Sequence, residues 1–302
     1  MSLMSYLKKR LWDEEWNVAI RPHLEKGIFD NSKRYFVLKN TWRYWCADPF
    51  VVDWDGKSYV FMEIFDRCTQ KGSIGYRIID GGKVGPIKVC IDMPFHMSYP
   101  MIFVAGNDIM MVPECHKSNQ LTAYRAIRFP DKWEPVETIL ENRALCDTNY
   151  LSCGNDEFLL TMPLDNGRYI YDTLELYWRN STGEWEKSDN NPFVIGAHRA
   201  RNGGNFFSIE GKLYRPSQNC GNSYGEKINI NCVQEISRTS YIEEPVQEIT
   251  IKDILLPDNR YDGIHTYNHS ESYDVIDLRR QKKFQIAKAF YLIRHKLGIH
   301  NE

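Results

Sequence analysis

Several common features are missing from this 302-residue sequence. It contains no run of about 18 apolar residues, so we expect no transmembrane helix. Residues 1–16 lack an apolar core of signal-peptide length, and we therefore expect a cytoplasmic protein. The eight cysteines are scattered and include no CxxC pair, which argues against a zinc site and against a disulfide framework. We expect these cysteines to be reduced thiols.

A dominant charge is also missing. The 38 Lys and Arg residues nearly balance the 40 Asp and Glu residues, which gives a net charge of −2. Binding to polyanions needs a positive surface, so the chain as a whole is not expected to bind nucleic acid. Aromatic residues are instead abundant, at 13% of the chain, and this excludes a disordered protein. Such residues suit pleated sheets, and they also stack on sugar rings.

A turn between two apolar strands recurs along the chain. Its glycines are separated by 50, 48 and 57 residues, and they are Gly56, Gly106, Gly154 and Gly211. A weaker fifth copy covers residues 265–278, where Ser270-Glu271-Ser272 takes the place of the turn. Two further strands follow each of the first four turns. Four short strands in a period of about 50 residues are typical of a propeller blade.

We therefore predict an all-β fold, a five-bladed β-propeller over residues 1–278 with a short C-terminal basic helix. Residues 15–23 form a spare strand, which we expect to complete the last blade beside residues 273–278 and so close the ring. A TIM barrel or a doubly wound fold would need helices between the strands, and residues 46–278 show almost none. A two-sheet sandwich would not give this period.

The last segment, residues 279–302, has a different composition. It carries seven Lys and Arg residues and one Glu, and its apolar residues recur at helical spacing. This pattern predicts a basic amphipathic helical tail. The tail either packs on the propeller with a solvated basic face or makes peripheral contact with an anionic membrane.

Ionisable residues recur at the end of the inner strands that lies away from the turns. Asp48 lies eight residues before Gly56, and Glu63 lies seven after it. A propeller brings these strand ends together around its central channel. The same counting in the other units predicts one funnel lined by Asp48, Glu63, Glu114, Asp147, Arg201 and Gln218.

Clustered carboxyl groups suit the cleavage of glycosidic bonds. One carboxyl protonates the leaving oxygen, while another acts as a nucleophile or activates water. Close like charges raise one pKa, which keeps that group protonated at neutral pH. We predict catalysis by Asp48, Glu114 and Asp147, with substrate contacts from Trp45, Glu63, His96, Tyr99, His198, Arg201, Gln218 and Tyr224. No cofactor and no catalytic metal is implied. A structural cation in the channel is compatible with the sequence, although no ligand spacing predicts one.

Two short motifs resemble those of known enzymes. Ala47-Asp48-Pro49-Phe50 resembles the Asp-Pro motif of the five-bladed propeller glycosidases of families 43, 32, 62 and 68. Glu114-Cys115 resembles the Glu-Cys pair of their invertase-like members. The resemblance implies that Asp48 is the base or nucleophile, Glu114 the acid and Asp147 the residue that tunes the acid. The order of these acidic residues along the chain differs from the usual Asp, Asp, Glu.

A longer set of motifs is more specific. ADPF, HMSYP, VPEC, FPDKW, CDTNY, ARNGG, YRPSQ and YG, over about residues 40–278, together resemble one propeller group. That group is similar to the N-terminal domain of plant glucosamine inositolphosphorylceramide transferases and to bacterial proteins of surface-polysaccharide loci.

Three functions follow from these observations. The first is a glycoside hydrolase that acts on a small or terminal sugar unit. The second is a glycosyl- or phosphoglycosyl-transfer enzyme of polysaccharide or glycolipid assembly, in which His198, Arg199 and Arg201 would meet a phosphate. The third is a non-catalytic carbohydrate-binding module.

Overall fold

The computed structural model describes residues 10–164 and 172–298. Within these residues the strands form five antiparallel sheets. The chain begins with β1 (Trp12–Pro22) and β2 (Phe36–Val37), which belong to the last sheet. The sheets are the blades of a five-bladed β-propeller, so the predicted fold class is confirmed.

The first four blades follow one another along the chain, and the first four strands of each lie in sequential order; the fifth strand of blades one and three pairs with the third. Blade one consists of β3 (Tyr44–Trp54), β4 (Lys57–Asp66), β5 (Lys71–Asp80), β6 (Lys83–Val84) and β7 (Lys88–Ile91). Blade two consists of β8 (Ser98–Ala105), β9 (Asp108–Glu114), β10 (Gln120–Arg128) and β11 (Lys132–Glu141). Blade three consists of β12 (Leu145–Cys153), β13 (Asp156–Pro163), β14 (Thr173–Arg179), β15 (Trp185–Lys187) and β16 (Val194–Ile195). Blade four consists of β17 (Phe207–Ile209), β18 (Lys212–Asn219), β19 (Lys227–Ile236) and β20 (Tyr241–Thr250).

Blade five joins the two ends of the chain. Its inner strands are β21 (Tyr267–His269) and β22 (Tyr273–Phe284), and its strand order is β2-β1-β22-β21. Strand β1 pairs with β22 from Pro22 opposite Tyr273 to Trp12 opposite Phe284. The first strand of the chain therefore lies between two others, and this pairing closes the ring of blades.

The C-terminal segment differs from the predicted tail. Strand β22 continues to Phe284, because its last residues pair with the start of β1. Helix α1 covers only Lys288–Lys296, and the last four residues of the predicted tail lie outside the described residues. Short 3₁₀ turns occur at Gly27–Phe29, His116–Ser118 and Ile251–Asp253. In the described part of the chain, every helix is too short or too polar to cross a bilayer.

The core lies between the blades. Strands with alternating or continuous apolar residues place aromatic side chains against the next sheet, where they bury large areas. Phe61 of blade one, for example, is fully buried and meets the Trp133 ring of blade two edge-on, with the ring centroids 5.7 Å apart. The abundant aromatic residues thus mainly hold blade to blade.

Candidate functional site

The inner strands of the first three blades are interrupted at the same level. The pairing of each with its neighbour skips two residues there, which forms a β-bulge. Asp48, Tyr99 and Asp147 occupy these bulges with a left-handed backbone, at φ values of 49°, 44° and 47°. Because a bulge turns a side chain away from its own strand, these three side chains contact neighbouring blades.

A cavity of about 300 Å³ opens at this end of the propeller. It combines carboxyl groups, aromatic rings, two histidines and one arginine. The described residues that line it are Asp13, Glu14, Trp16, Trp45, Ala47, Asp48, Glu63, Phe65, His96, Ser98, Arg201, Tyr224 and His265. Such a mixture of aromatic and convergent polar groups is typical of small-molecule sites.

Asp48 is buried at one side of the cavity. Its Oδ2 accepts the backbone N–H of Tyr99 at 3.2 Å, and its Oδ1 accepts the Thr266 hydroxyl at 3.2 Å. Burial raises the pKa of Asp48, and the nearby Asp277 adds to this, while the charge of His265 opposes it. The His265 Nε2 atom lies 3.4 Å from Asp48 Oδ1.

His265 is fixed between Asp277 and an aromatic ring. Its Nδ1 lies 2.6 Å from Asp277 Oδ2, and its ring stacks on Trp16 with the centroids 3.9 Å apart. Burial lowers the pKa of His265, but the charges of Asp277 and Asp48 outweigh this and raise the pKa above its usual value. The environment therefore favours an imidazolium ion beside Asp48.

Glu63 lies in the same cavity but beside a different histidine. Burial and the charges of Asp48 and other carboxylates raise its pKa well above the usual value, which favours the protonated acid. His96 lies beside it, with Nε2 3.3 Å from Glu63 Oε1. Burial lowers the pKa of His96 to about 4, and its Nδ1 accepts the Gly72 N–H at 3.0 Å. This histidine is therefore neutral near pH 7 and adds no positive charge to stabilise a Glu63 carboxylate.

Glu114 does not share these properties. Its Oε1 lies 2.7 Å from Nδ1 of His116. Burial would raise the pKa of Glu114, but His116 and Arg201 outweigh it and bring the pKa to about 2. Glu114 is also not among the described residues that line the cavity. A general acid must hold a proton at working pH, so this environment argues against the acid role that the Glu-Cys motif implied.

Asp147 lies behind the cavity and is almost fully buried. It is paired with Arg201 and accepts Gln218 Nε2 at 2.9 Å. Burial is the main reason that the pKa of Asp147 is raised well above its usual value, and the charge of Arg201 opposes it. This position suits a residue that holds Arg201 at the cavity wall better than one that touches substrate.

The predicted substrate contacts divide into two groups. Trp45, Glu63, His96, Arg201 and Tyr224 line the cavity, whereas three others are not among the described lining residues. Tyr99 is fully buried, and its hydroxyl donates to Asn149 Oδ1 at 2.8 Å. Gln218 is fully buried against Asp147, and His198 is exposed, with Nδ1 3.2 Å from Asn219 Oδ1. These three positions do not fit direct contact with a ligand in this cavity.

Two groups of side chains bring metal-ligand atoms within 4.8 Å of one another: Asp48, His265 and Asp277, and Glu114, Cys146 and Asp147. The carboxylate of Asp277 already accepts three backbone N–H groups and the His265 ring. The Asp147 carboxylate likewise already pairs with Arg201 and accepts a hydrogen bond from Gln218. We therefore describe both groups as hydrogen-bonded networks and assign no metal to them.

Comparison with known proteins identifies the group. A protein-family profile described as "Glucosamine inositolphosphorylceramide transferase 1, N-terminal" matches residues 39–284. The chain belongs to this family. The resemblance drawn from the motifs is thus confirmed.

Curated members of the family are longer proteins. "Glucosamine inositolphosphorylceramide transferase 1" of Oryza sativa subsp. japonica is 31% identical over 232 residues, which cover 75% of this chain and 31% of that protein. The protein of the same name from Arabidopsis thaliana is 32% identical over 206 residues, which cover 66% and 27%. The chain thus spans about a third of the length of the curated relatives it matches.

Solved structures show the same fold in glycoside hydrolases. The catalytic domain of the Coprinopsis cinerea GH62 α-L-arabinofuranosidase has a TM-score of 0.56 at 11% identity, over 78% of this chain and 91% of that chain. A thermostable family-43 glycoside hydrolase has a TM-score of 0.53 at 12% identity, over 80% and 87%. At these identities the likeness concerns the fold alone, a propeller found in carbohydrate-active enzymes.

Proposed function

We propose that residues of the cavity cleave a glycosidic bond or transfer a glycosyl group, with Asp48 as the base or nucleophile and Glu63 as the acid. One observation carries this proposal: two buried carboxyl groups share one cavity and burial raises the pKa of both, but the charge of His265 opposes that rise at Asp48, whereas neighbouring carboxylates add to it at Glu63. Like carboxyls pushed apart in pKa are the usual basis of acid and base roles in glycosidases.

The two side chains reach the cavity because of the strand register. Glu63 pairs with Ala47 across β3 and β4, and Asp48 follows Ala47 in the bulge. In the proposed reaction, protonated Glu63 gives its proton to the leaving oxygen. Ionised Asp48 attacks the anomeric carbon or removes a proton from the attacking water or hydroxyl group.

The remaining lining residues suit a sugar. Trp45 is stacked on Phe65 at a centroid distance of 4.4 Å, which holds its ring rigidly at the cavity wall. Arg201 lies over the Tyr224 ring at 5.0 Å and lines the same space, where it can donate hydrogen bonds to hydroxyl groups or to an anionic group. The substrate class we propose is therefore a small carbohydrate or the sugar end of a glycolipid.

The test is a panel of oligosaccharides and nitrophenyl glycosides, with product release measured for the wild-type chain and for Asp48→Asn and Glu63→Gln. Asp80→Asn is the matched control, since Asp80 lies in the same blade near the opposite strand end, exposed and paired with Lys57 at 2.9 Å. We expect each cavity variant to lose at least about 100-fold in rate, as general acid–base groups contribute about 10²–10⁴-fold. Full activity in both cavity variants would contradict the proposal.

A second candidate is transfer to or from a lipid-linked substrate at a membrane surface. Helix α1 leaves Phe290 and Leu297 exposed next to the basic residues Arg294 and Lys296. Lys288 of the same helix pairs with Asp13, a cavity-lining residue. An apolar and basic helix surface beside the cavity mouth suits an anionic bilayer. The relatives also carry a name that includes a ceramide lipid.

Vesicle flotation tests this second candidate. Deleting all residues from 279 onward would remove the end of β22, which pairs with the start of β1, so point variants are the better probe. Phe290→Glu with Leu297→Glu should abolish retention on phosphatidylserine-containing vesicles. Ile195→Glu is the control, since Ile195 is equally exposed but lies in blade three. Failure of wild-type chain to float with anionic vesicles would refute the membrane role.

A further inference from the structure

Each carboxyl group of the proposed acid–base pair has its own histidine. His265 lies beside Asp48 and His96 beside Glu63, at N–O distances of 3.4 and 3.3 Å. The two histidines differ in what their other ring nitrogen contacts. Nδ1 of His265 faces the carboxylate of Asp277, whereas Nδ1 of His96 accepts a backbone N–H. The carboxylates around His265 favour its imidazolium form, whereas burial favours the neutral form of His96.

The contact with Asp277 fixes the charge of His265. Asp277 is fully buried, and its oxygens accept the N–H groups of Asp48, His265 and Thr266 at 3.0–3.1 Å. Several N–H donors stabilise a carboxylate in its ionised form. The Asp277 carboxylate next to Nδ1 favours a proton on that nitrogen. Asp48 Oδ1, 3.4 Å from Nε2, favours a second proton there, so the two carboxyl groups together favour the imidazolium form.

We propose that His265, held by Asp277, is the positioning residue that keeps Asp48 ionised while Glu63 stays protonated. The proposal rests on the acid–base pair described under the proposed function and names the residue that separates its two roles. Without a cation at His265, Asp48 and Glu63 would be two buried carboxyls with similar reasons to be protonated.

Other charged groups also face His265 and Asp48, and each raises or lowers their pKa values. Asp277 faces His265 from β22, Asp48 faces it from β3, and the Arg201 cation opposes its protonation. The carboxylates Glu114 and Asp277 raise the pKa of Asp48, whereas Arg201 and His265 lower it. Arg201 is itself paired with Asp147, whereas His265 Nε2 lies 3.4 Å from Asp48 Oδ1. His265 is therefore the cation most directly placed to act on Asp48.

Nuclear magnetic resonance can test this pairing without any substrate. Aspartate labelled with ¹³C at the carboxyl carbon gives the pKa of Asp48, with the signal assigned through Asp48→Asn. Histidine labelled with ¹⁵N gives the protonation state of His265. The variant is His265→Gln, and the matched control is His23→Gln, because His23 forms the same kind of pair with Asp274 at 2.7 Å in the same blade.

We expect His265→Gln to raise the pKa of Asp48 by about one to three units, the usual effect of removing an adjacent opposite charge. His23→Gln should leave that pKa unchanged. If His265→Gln does not fold, Asp48→Asn gives the reciprocal measurement, since removing the Asp48 charge must lower the pKa of His265.

An Asp48 pKa that moves no more in His265→Gln than in His23→Gln would overturn the proposal. So would a His265 ring that is neutral at pH 7 in the wild-type chain. These readouts involve no turnover, so absence of glycosyl transfer would refute the proposed function and leave the pairing to be judged separately.

Discussion

Replacing Glu63 with glutamine should make the protein more stable at neutral pH while it removes the proposed acid. Glu63 is 6% exposed, and although His96 Nε2 lies 3.3 Å from its Oε1, no described residue forms a well-aligned hydrogen bond to that atom. Its pKa is raised well above 4.5, first by burial and then by neighbouring carboxylates. Glutamine has nearly the same shape as protonated glutamate. Because it does not ionise, folding at neutral pH does not require it to take up a proton, as burial of Glu63 does.

The size of the effect follows from proton linkage. Below about pH 4.5, Glu63 is protonated in both folded and unfolded chains, so the variant and the wild type should be similar in stability. Above that pH the unfolded chain releases the proton and the folded chain keeps it. The advantage of Glu63→Gln in free energy of unfolding should then grow by about 1.36 kcal/mol per pH unit. The growth ends where Glu63 ionises in the folded protein.

Urea denaturation of both chains at several pH values between 4 and 8 measures this difference. Glu114→Gln serves as a control with the opposite sign. Because the pKa of Glu114 is held at about 2, its carboxylate stabilises the fold above pH 4.5, and that contribution is lost as the pH falls toward 2. Its removal should cost on the order of 3 kcal/mol at pH 7. A Glu63→Gln variant that is destabilised, or whose advantage does not change with pH, would refute the reasoning.

Three further substitutions test other parts of the site. Asp48→Asn should reduce turnover at least about 100-fold with an unchanged circular dichroism spectrum, since the amide keeps an oxygen acceptor; an altered spectrum would assign Asp48 to the fold instead. Arg201→Met should cost about 3–5 kcal/mol in urea denaturation, because Asp147 would lose its buried partner. Gly204→Ala should cost more than about 3 kcal/mol or prevent folding, because at φ 137° a Cβ would lie 1.9 Å from the Tyr267 carbonyl oxygen. A well-folded, fully stable alanine variant would contradict this close contact.

The fold could be predicted because hairpin turns determine strand register. The turn at Gly56 predicts the pairing of the strands on either side, and therefore that Asp48 and Glu63 share one strand end. The structure pairs Ala47 with Glu63, one residue from this expectation. The difference arises from the bulge at Asp48. Counting outward from the turn assumes one-to-one pairing of residues, and the bulge interrupts that pairing.

The same counting could have found His265 and Asp277. They lie six residues before and six after Glu271, the centre of the fifth turn. That turn has no glycine to mark its centre, so the register of the fifth copy is harder to define from the sequence. Trp16 is different, because it comes from β1 at the other end of the chain, and only the completed blade places its ring on His265.

The acid role of Glu114 shows where motif resemblance reaches its limit. The Glu-Cys pair can be recognised in sequence, but the pKa of the glutamate depends on His116, which turns back onto it after β9. A partner two residues away can reverse the expected protonation state without changing the motif. Local charge therefore has to be known before a carboxyl is given a role, and it favours the protonated form at Glu63 but not at Glu114.

The hydrogen bonds accepted by Asp277 contribute both to the closure of the propeller and to the geometry of the site. Asp277 accepts the N–H of Asp48 from blade one and the N–H groups of His265 and Thr266 from blade five. The Asp48 backbone has a φ of 49°, which is costly for a non-glycine residue and persists only when its surroundings hold it. Since the bond from Asp277 provides part of that hold, weakening the contact between blades one and five must also disturb Asp48. A variant that weakens the contact between blades one and five should therefore displace the Asp48 side chain before the propeller unfolds.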